Sequence, residues 1–207
     1  MNKKIIVLLL FLLPAIYGYG QISWNIKAGT NLSNITTIGD TDIKLGYQLG
    51  VGADYFFNDN WGIQPSLMLV SKGYKKKGNY YIPPQEDPFE LKYDRTENRI
   101  YAELPIMLAY RFNISNNIKM ILNGGGFVSY GIGGKLKNKI IQEDGSVEKE
   151  SSNTFSHVDK FDTGIGAGTS FEYKNRYIFG LTGEWGLKPV FGDSKNQTYG
   201  LNIGYKF

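Results

Sequence analysis

Between Ile22 and Phe207, stretches that alternate apolar and polar residues with a period of two recur, interrupted by turn signals, and the apolar positions of that alternation carry no charge. Ile43, Leu45, Tyr47, Leu49 and Val51 form one such run, and Ile100, Ala102, Leu104, Ile106 and Leu108 form another in the middle of the chain. Each run falls on one face of a strand, because successive strand residues point to opposite faces. Charged residues make up 20% of the chain, so their absence from one face constrains what that face touches. The opposite face holds Lys27, Lys44, Asp54, Glu103, Arg111, Lys119, Asp162, Glu172, Glu184 and Lys206. A lysine or arginine turned to lipid at mid-bilayer costs ~2–4 kcal/mol, and several would exceed the stability of a typical domain, ~5–15 kcal/mol. No stretch after the first twenty residues is long and apolar enough to cross a bilayer as a helix. In hydrocarbon, only a closed sheet then satisfies every backbone N–H and C=O. The expected fold is all-β: a closed eight-stranded antiparallel transmembrane β-barrel, built as an up-and-down meander.

The alternation predicts strands over about Ile22–Ser33, Ile43–Phe57, Trp61–Tyr74, Asn98–Phe112, Ile118–Gly133, Asp159–Tyr173, Arg176–Leu187 and Asn196–Phe207. Two classes of connection alternate between them. Asn58–Asn60, Asn113–Asn117 and Lys174-Asn175 are short and rich in Asn and Asp, which tolerate positive φ. Asn34–Asp42, Lys75–Glu97, Gly134–Val158 and Lys188–Lys195 are long, with Pro83–Pro88 as a loop tip. Short turns at one end and long loops at the other is the layout of outer-membrane barrels. It predicts a bacterial outer-membrane location, with both termini on the short-turn, periplasmic side.

A soluble ligand-binding barrel is the rival fold, with its apolar face inward and its charges outward. The glycines argue against it. Gly46, Gly50, Gly52, Gly164, Gly166, Gly168, Gly200 and Gly204 lie on the polar face, as a narrow, crowded lumen would require. Aromatic residues give a second argument. Trp24, Tyr55, Trp61, Tyr110, Tyr173, Tyr177, Tyr205 and Phe207 gather at the short-turn ends of the strands, where a membrane-interface girdle belongs. Tyr130, Phe161, Trp185 and Tyr199 are candidates for the opposite girdle.

Residues 1–20 have the form of a cleavable signal peptide, leaving residues 21–207 as one barrel domain. Lys3 and Lys4 precede an apolar run from Ile5 to Leu13, Pro14 ends it, and Gly18-Tyr19-Gly20 offers a cleavage site. The formal charge is +4; without the leader lysines about +2 remains, which does not favour nucleic acid. The chain has no cysteine, so disulfides and thiolate chemistry are excluded.

Candidates for catalysis are few. His157 is the one histidine and lies in a long loop beside Ser156 and Asp159. A lipid-modifying enzyme using it is the alternative to a non-enzymatic barrel, but adjacent Ser and His side chains diverge. Gly124–Gly126 and Gly164-x-Gly166-x-Gly168 lie within strands and lack the helix N-terminus that a phosphate cradle needs. No cofactor or metal is expected. Lys27, Asp54, Glu103, Arg111, Glu172 and Glu184 are expected to meet inside the barrel as a paired charge network. Eight strands leave an interior that side chains nearly fill, so a plugged lumen is favoured over a small channel. The long loops are then the working surface.

The run Ile100-Tyr101-Ala102-Glu103-Leu104-Pro105-Ile106-Met107-Leu108-Ala109-Tyr110-Arg111-Phe112 resembles a signature of the PorT-like family of small outer-membrane barrels. The leader, the opening Gly29-x-Asn31-x-Ser33 and the terminal Phe207 are similar as well. The resemblance implies an integral outer-membrane barrel surrounded by lipids. It implies recognition of the C-terminal strand ending in Phe207 by barrel-assembly machinery, and an envelope protein partner linked to protein secretion.

Overall fold

The computed structural model describes residues 22–36, 41–82, 89–141, 146–156, 158–190 and 192–207. The expected leader, the Pro83–Pro88 tip and His157 lie outside the described residues. Nine strands follow one another: β1 (Ile22–Thr36), β2 (Lys44–Phe56), β3 (Trp61–Ile82), β4 (Phe89–Ser115), β5 (Ile118–Ile141), β6 (Val147–Asn153), β7 (Phe161–Tyr173), β8 (Tyr177–Gly186) and β9 (Lys195–Lys206). A short 3-10 turn, Thr154–Ser156, follows β6.

All pairings are antiparallel, and eight strands close a ring. β1 pairs with both β2 and β9, which joins the two ends of the chain. β4 pairs with β3 and β5, and β5 with β7 through Ile118–Tyr130. The ninth strand is not part of the ring. β6 pairs only with the far part of β5, from Lys135↔Asn153 to Ile141↔Val147. The closed eight-stranded meander predicted from the alternation is thus the fold, with one added strand beyond the rim.

Two predicted loops need correction. Lys75–Glu97 and Gly134–Val158 were expected to be irregular, yet most of their described residues are strand. The β3–β4 ladder continues to Ile82↔Phe89 and the β4–β5 ladder to Lys92↔Ile141. Apolar alternation reports where a strand touches lipid, and these extensions carry charged residues on both faces. Their pairing follows from the ladder below them, since each added residue satisfies further backbone N–H and C=O groups. The result is a four-stranded sheet, β3–β4–β5–β6, standing beyond one rim.

The opposite rim is made of tight turns. Lys174 and Asn175 have φ of 51° and 59°, and Arg176 N donates to Tyr173 O at 3.1 Å, the geometry of a hairpin turn with two positive-φ centres. Asn58 Oδ1 accepts from the backbone N–H groups of Asn60 and Trp61 at 2.9 and 2.7 Å. The β4–β5 turn is narrower than expected: β4 reaches Ser115, leaving Asn116 and Asn117.

Burial is inverted relative to a water-soluble barrel. Leu45, Leu201 and Ile203 are 66%, 58% and 59% exposed, whereas Lys72, Arg99, Glu103 and Asp162 are at most 1% exposed. Apolar side chains clothe the outside and charges fill the inside. Some apolar side chains are buried too, among them Val70, Tyr101 and Phe127, and Phe56, Ala109 and Ile121 form a small cluster near the short-turn end.

Candidate functional site

The lumen holds two ionic clusters in series. Toward the short-turn end, Lys206 Nζ pairs with Asp54 Oδ2 at 2.8 Å and with Glu172. Asp54 Oδ1 also accepts from Asn25 Nδ2 at 3.2 Å and from Gln64 Nε2 at 2.9 Å. Gln64 Oε1 in turn accepts from Asn123 Nδ2 at 3.0 Å. These groups come from β1, β2, β3, β5, β7 and β9, so one network ties most of the ring together.

The second cluster centres on Lys72 of β3. Its Nζ lies 2.5 Å from Glu103 Oε2 and 2.9 Å from Glu184 Oε2, and 4.4 Å from the centroid of the Phe127 ring. One ammonium therefore bridges carboxylates from β4 and β8 across the barrel. Between the clusters is a cavity of about 70 Å³ lined in part by Lys27, Gln48, Gln64, Glu103, Glu184 and Asn202. Gln48 Nε2 donates to Asn202 Oδ1 there. Gly200 permits that crossing: a Cβ at this position would stand 2.4 Å from Gln48 Nε2. Nearer the long-strand end, Asn196 Nδ2 donates to Asp162 Oδ2 at 2.6 Å, and Arg99 Nε pairs with Glu97 Oε1 at 3.3 Å.

Of the six charges expected to meet in the lumen, Asp54 and Glu172 share one cluster and Glu103 and Glu184 the other. Lys27 faces the intervening cavity and forms no ion pair with a described residue. Arg111 is a correction. It joins neither cluster; its Nε donates to Asp59 O at 3.0 Å, and its guanidinium stacks on Phe56 at 3.9 Å. Arg111 stands beside the turn that leads into β3, where Asp59 and Phe56 hold it away from the carboxylates. Sequence reasoning left out both bridging lysines. Lys206 was on the polar face, and Lys72 shares the parity of Gln64 and Met68, but its nearness to the expected loop at Lys75 hid it.

The short-turn aromatics form contacting rows on the outer wall. Trp61 meets Tyr110 edge-on at 4.8 Å, and Tyr110 meets Phe112 at 4.7 Å. Tyr177 meets Tyr205 at 5.7 Å, and Tyr205 meets Phe207 at 5.4 Å. Trp24 and Tyr173 are exposed, and Tyr55 lies 6.4 Å from Phe57. At the other end Trp185 and Tyr199 make one pair at 6.1 Å.

Among the described residues there is no cluster of three or more His, Cys, Asp or Glu able to hold a metal ion. The model of the outer membrane protein beta-barrel domain family matches residues 18–192. The chain belongs to that family. It is an integral protein of the bacterial outer membrane, with the apolar wall as its lipid face and the ionic clusters as its interior. No curated protein matches it. Similar solved structures include Ail of Yersinia pestis, with 18% identity over 89% of this chain and 98% of that one and a TM-score of 0.43. OprG of Pseudomonas aeruginosa has 13% identity over 92% and 98%, with a TM-score of 0.44. Neisserial surface protein A has 14% identity over 90% and 99%, with a TM-score of 0.41.

Proposed function

We propose that this barrel is a non-enzymatic, PorT-like protein whose lumen is closed and whose four-stranded sheet beyond the rim binds a partner or ligand outside the cell. Its N-terminal leader is then removed on export and both termini face the periplasm. The observation that carries the reading is the sheet itself. β3, β4 and β5 extend well past the ring and gain a further strand, β6, that has no part in closing the barrel. The doubly braced lumen argues in the same direction, because buried charges held in pairs favour rigidity over passage. The PorT-like resemblance adds an envelope protein of a secretion process as the partner, and the apolar strand ending in Phe207 as the segment read during assembly.

The test is a pull-down from crosslinked cell envelopes, with residues 75–97 intact or replaced by a short turn. Loss of specific co-purifying proteins on shortening supports the reading. Recovery of the same set from both forms removes the extended hairpin as the binding surface. Folding of both forms is checked by the shift in electrophoretic mobility between unboiled and boiled samples.

A further inference from the structure

The two faces of the extended sheet differ sharply in charge. Opposed residues of an antiparallel ladder share a face, so the register sorts every side chain. One face carries Lys76, Arg95 and Arg99 together with Glu97, Glu148 and Glu150, and Glu97 pairs with both arginines. The other carries Lys75, Lys77, Lys92, Lys135, Lys137, Lys139 and Lys149. By the same register its acids among the described residues are Asp94, Glu90 opposite Tyr81 and, across an isolated bridge to Lys75, Asp42. None of the seven lysines forms an ion pair with another described residue, and all but the half-buried Lys139 are exposed.

This lysine face continues the lipid wall of the barrel. Leu67, Leu69, Ile100, Ala102 and Leu104 have the same strand parity as Lys75, Lys77, Asp94 and Lys92. A bulge in β5 makes this so. Tyr101 pairs with Gly131 but Ile100 pairs with Gly133, leaving Ile132 over. In a ladder with Ile132 paired in register and no bulge, Lys135, Lys137 and Lys139 would share the parity of lumen-facing Phe127 and Ser129; the bulge turns them outward. Two grooves lie on the lysine face. One of about 420 Å³ runs from Ile100 past Asn98 and Thr96 to Lys135 and Lys137, and one of about 460 Å³ runs between Asp94, Lys137, Lys139 and Lys149.

Resting on the reading of this sheet as the binding surface, we infer that its lysine face holds the phosphate groups of a phosphorylated glycolipid in the adjoining leaflet. The height of the lysines selects the ligand. At ~3.3 Å per residue and a tilt of ~35–45°, Lys135, Lys137 and Lys139 stand roughly 5, 10 and 15 Å above Ile100. A phospholipid headgroup layer is only about 5–7 Å deep on each side, so it reaches the lowest lysine alone. A sugar headgroup bearing phosphates spans the whole ladder while its acyl chains lie on Ile100, Leu69 and Leu104. A soluble polyanion would have no use for the lower groove's opening onto Ile100 of the lipid wall.

The test uses the full chain in phosphatidylcholine nanodiscs doped with a bisphosphorylated, acylated glucosamine disaccharide. Apparent affinity is read by native mass spectrometry and by salt titration. The triple substitution Lys135→Gln/Lys137→Gln/Lys139→Gln weakens binding by about tenfold or more. Lys76→Gln/Lys160→Gln/Lys195→Gln removes equal charge off the face and leaves affinity within about twofold. Equal loss in both triples, or loss in neither, overturns the assignment. So does equally tight binding of the deacylated disaccharide, which would mark a soluble ligand. Loss of glycolipid binding with unchanged partner capture separates this inference from the proposed protein partner, because the pull-down with the shortened hairpin has its own readout.

Discussion

Lys72 illustrates how one side chain can decide the state of its surroundings. It is 1% exposed, and its ammonium is the shared partner of Glu103 and Glu184. Lys72→Met leaves two carboxylates facing each other in a closed lumen, and breaking a buried pair in this way costs ~3–5 kcal/mol. Urea unfolding of the reconstituted barrel measures that loss. Adding Glu103→Gln and Glu184→Gln to Lys72→Met removes the orphaned charges and restores most of the stability; a triple variant as weak as the single one would show that packing, not charge, was lost. At the exposed long-strand end, Asp159 behaves differently. Lys188 Nζ donates to its Oδ2 at 2.5 Å, and that hydrogen bond, followed by one from the Phe161 backbone, holds the carboxyl below its ordinary value. A depressed carboxylate contributes stability above its unfolded pKa, ~3.9, and loses it as pH falls through the folded value. Lys188→Gln raises the Asp159 titration midpoint in NMR and leaves the barrel's unfolding midpoint at neutral pH unchanged, since an exposed pair is worth little.

At the scale of the element, the sequence was legible where a strand meets lipid and illegible where it does not. Alternation located all eight ring strands because charge on the wall is costly and glycine inside is useful. It could not follow β3, β4 and β5 beyond the rim, where water accepts either face and the polar residues at 75–97 look like a loop. Most of the lumen charges were visible by parity, but parity alone could not say which would touch: Glu103 and Glu184 come from distant strands, and their meeting depends on Lys72. The bulge at Ile132 was equally hidden, since one extra residue leaves no mark in composition. Its role is testable. Deleting Ile132 together with Gly133 takes one residue more than the bulge holds, brings Gly134 opposite Ile100 and turns Lys135, Lys137 and Lys139 toward the face of Arg95 and Arg99. The ladder above Ile100 then breaks, and trypsin cleaves the folded barrel at these lysines, whereas the wild-type sheet resists. The heat-dependent mobility shift of the ring persists, because the β5–β7 pairing ends at Tyr130↔Phe161, below the deletion.

For the molecule as a whole, the arrangement in series of the two ionic clusters determines whether anything passes. Lys206 with Asp54 and Glu172 braces the lumen nearer the tight turns, and Lys72 with Glu103 and Glu184 braces it nearer the extended sheet. The cavity between them, about 70 Å³, is lined in part by Lys27, Gln48, Gln64 and Asn202. An ion entering from either side would have to shed water and displace a braced ammonium or carboxylate, so the wild-type barrel is silent in planar bilayers. Truncating one cluster to alanine leaves the other intact, and the bilayer stays silent. Truncating both, with Lys72, Glu103, Lys206 and Asp54 replaced, removes the two barriers together and produces discrete current steps. Current steps from the unaltered protein would contradict the closed lumen and favour the channel reading; steps after loss of a single cluster would show that one brace alone seals the barrel.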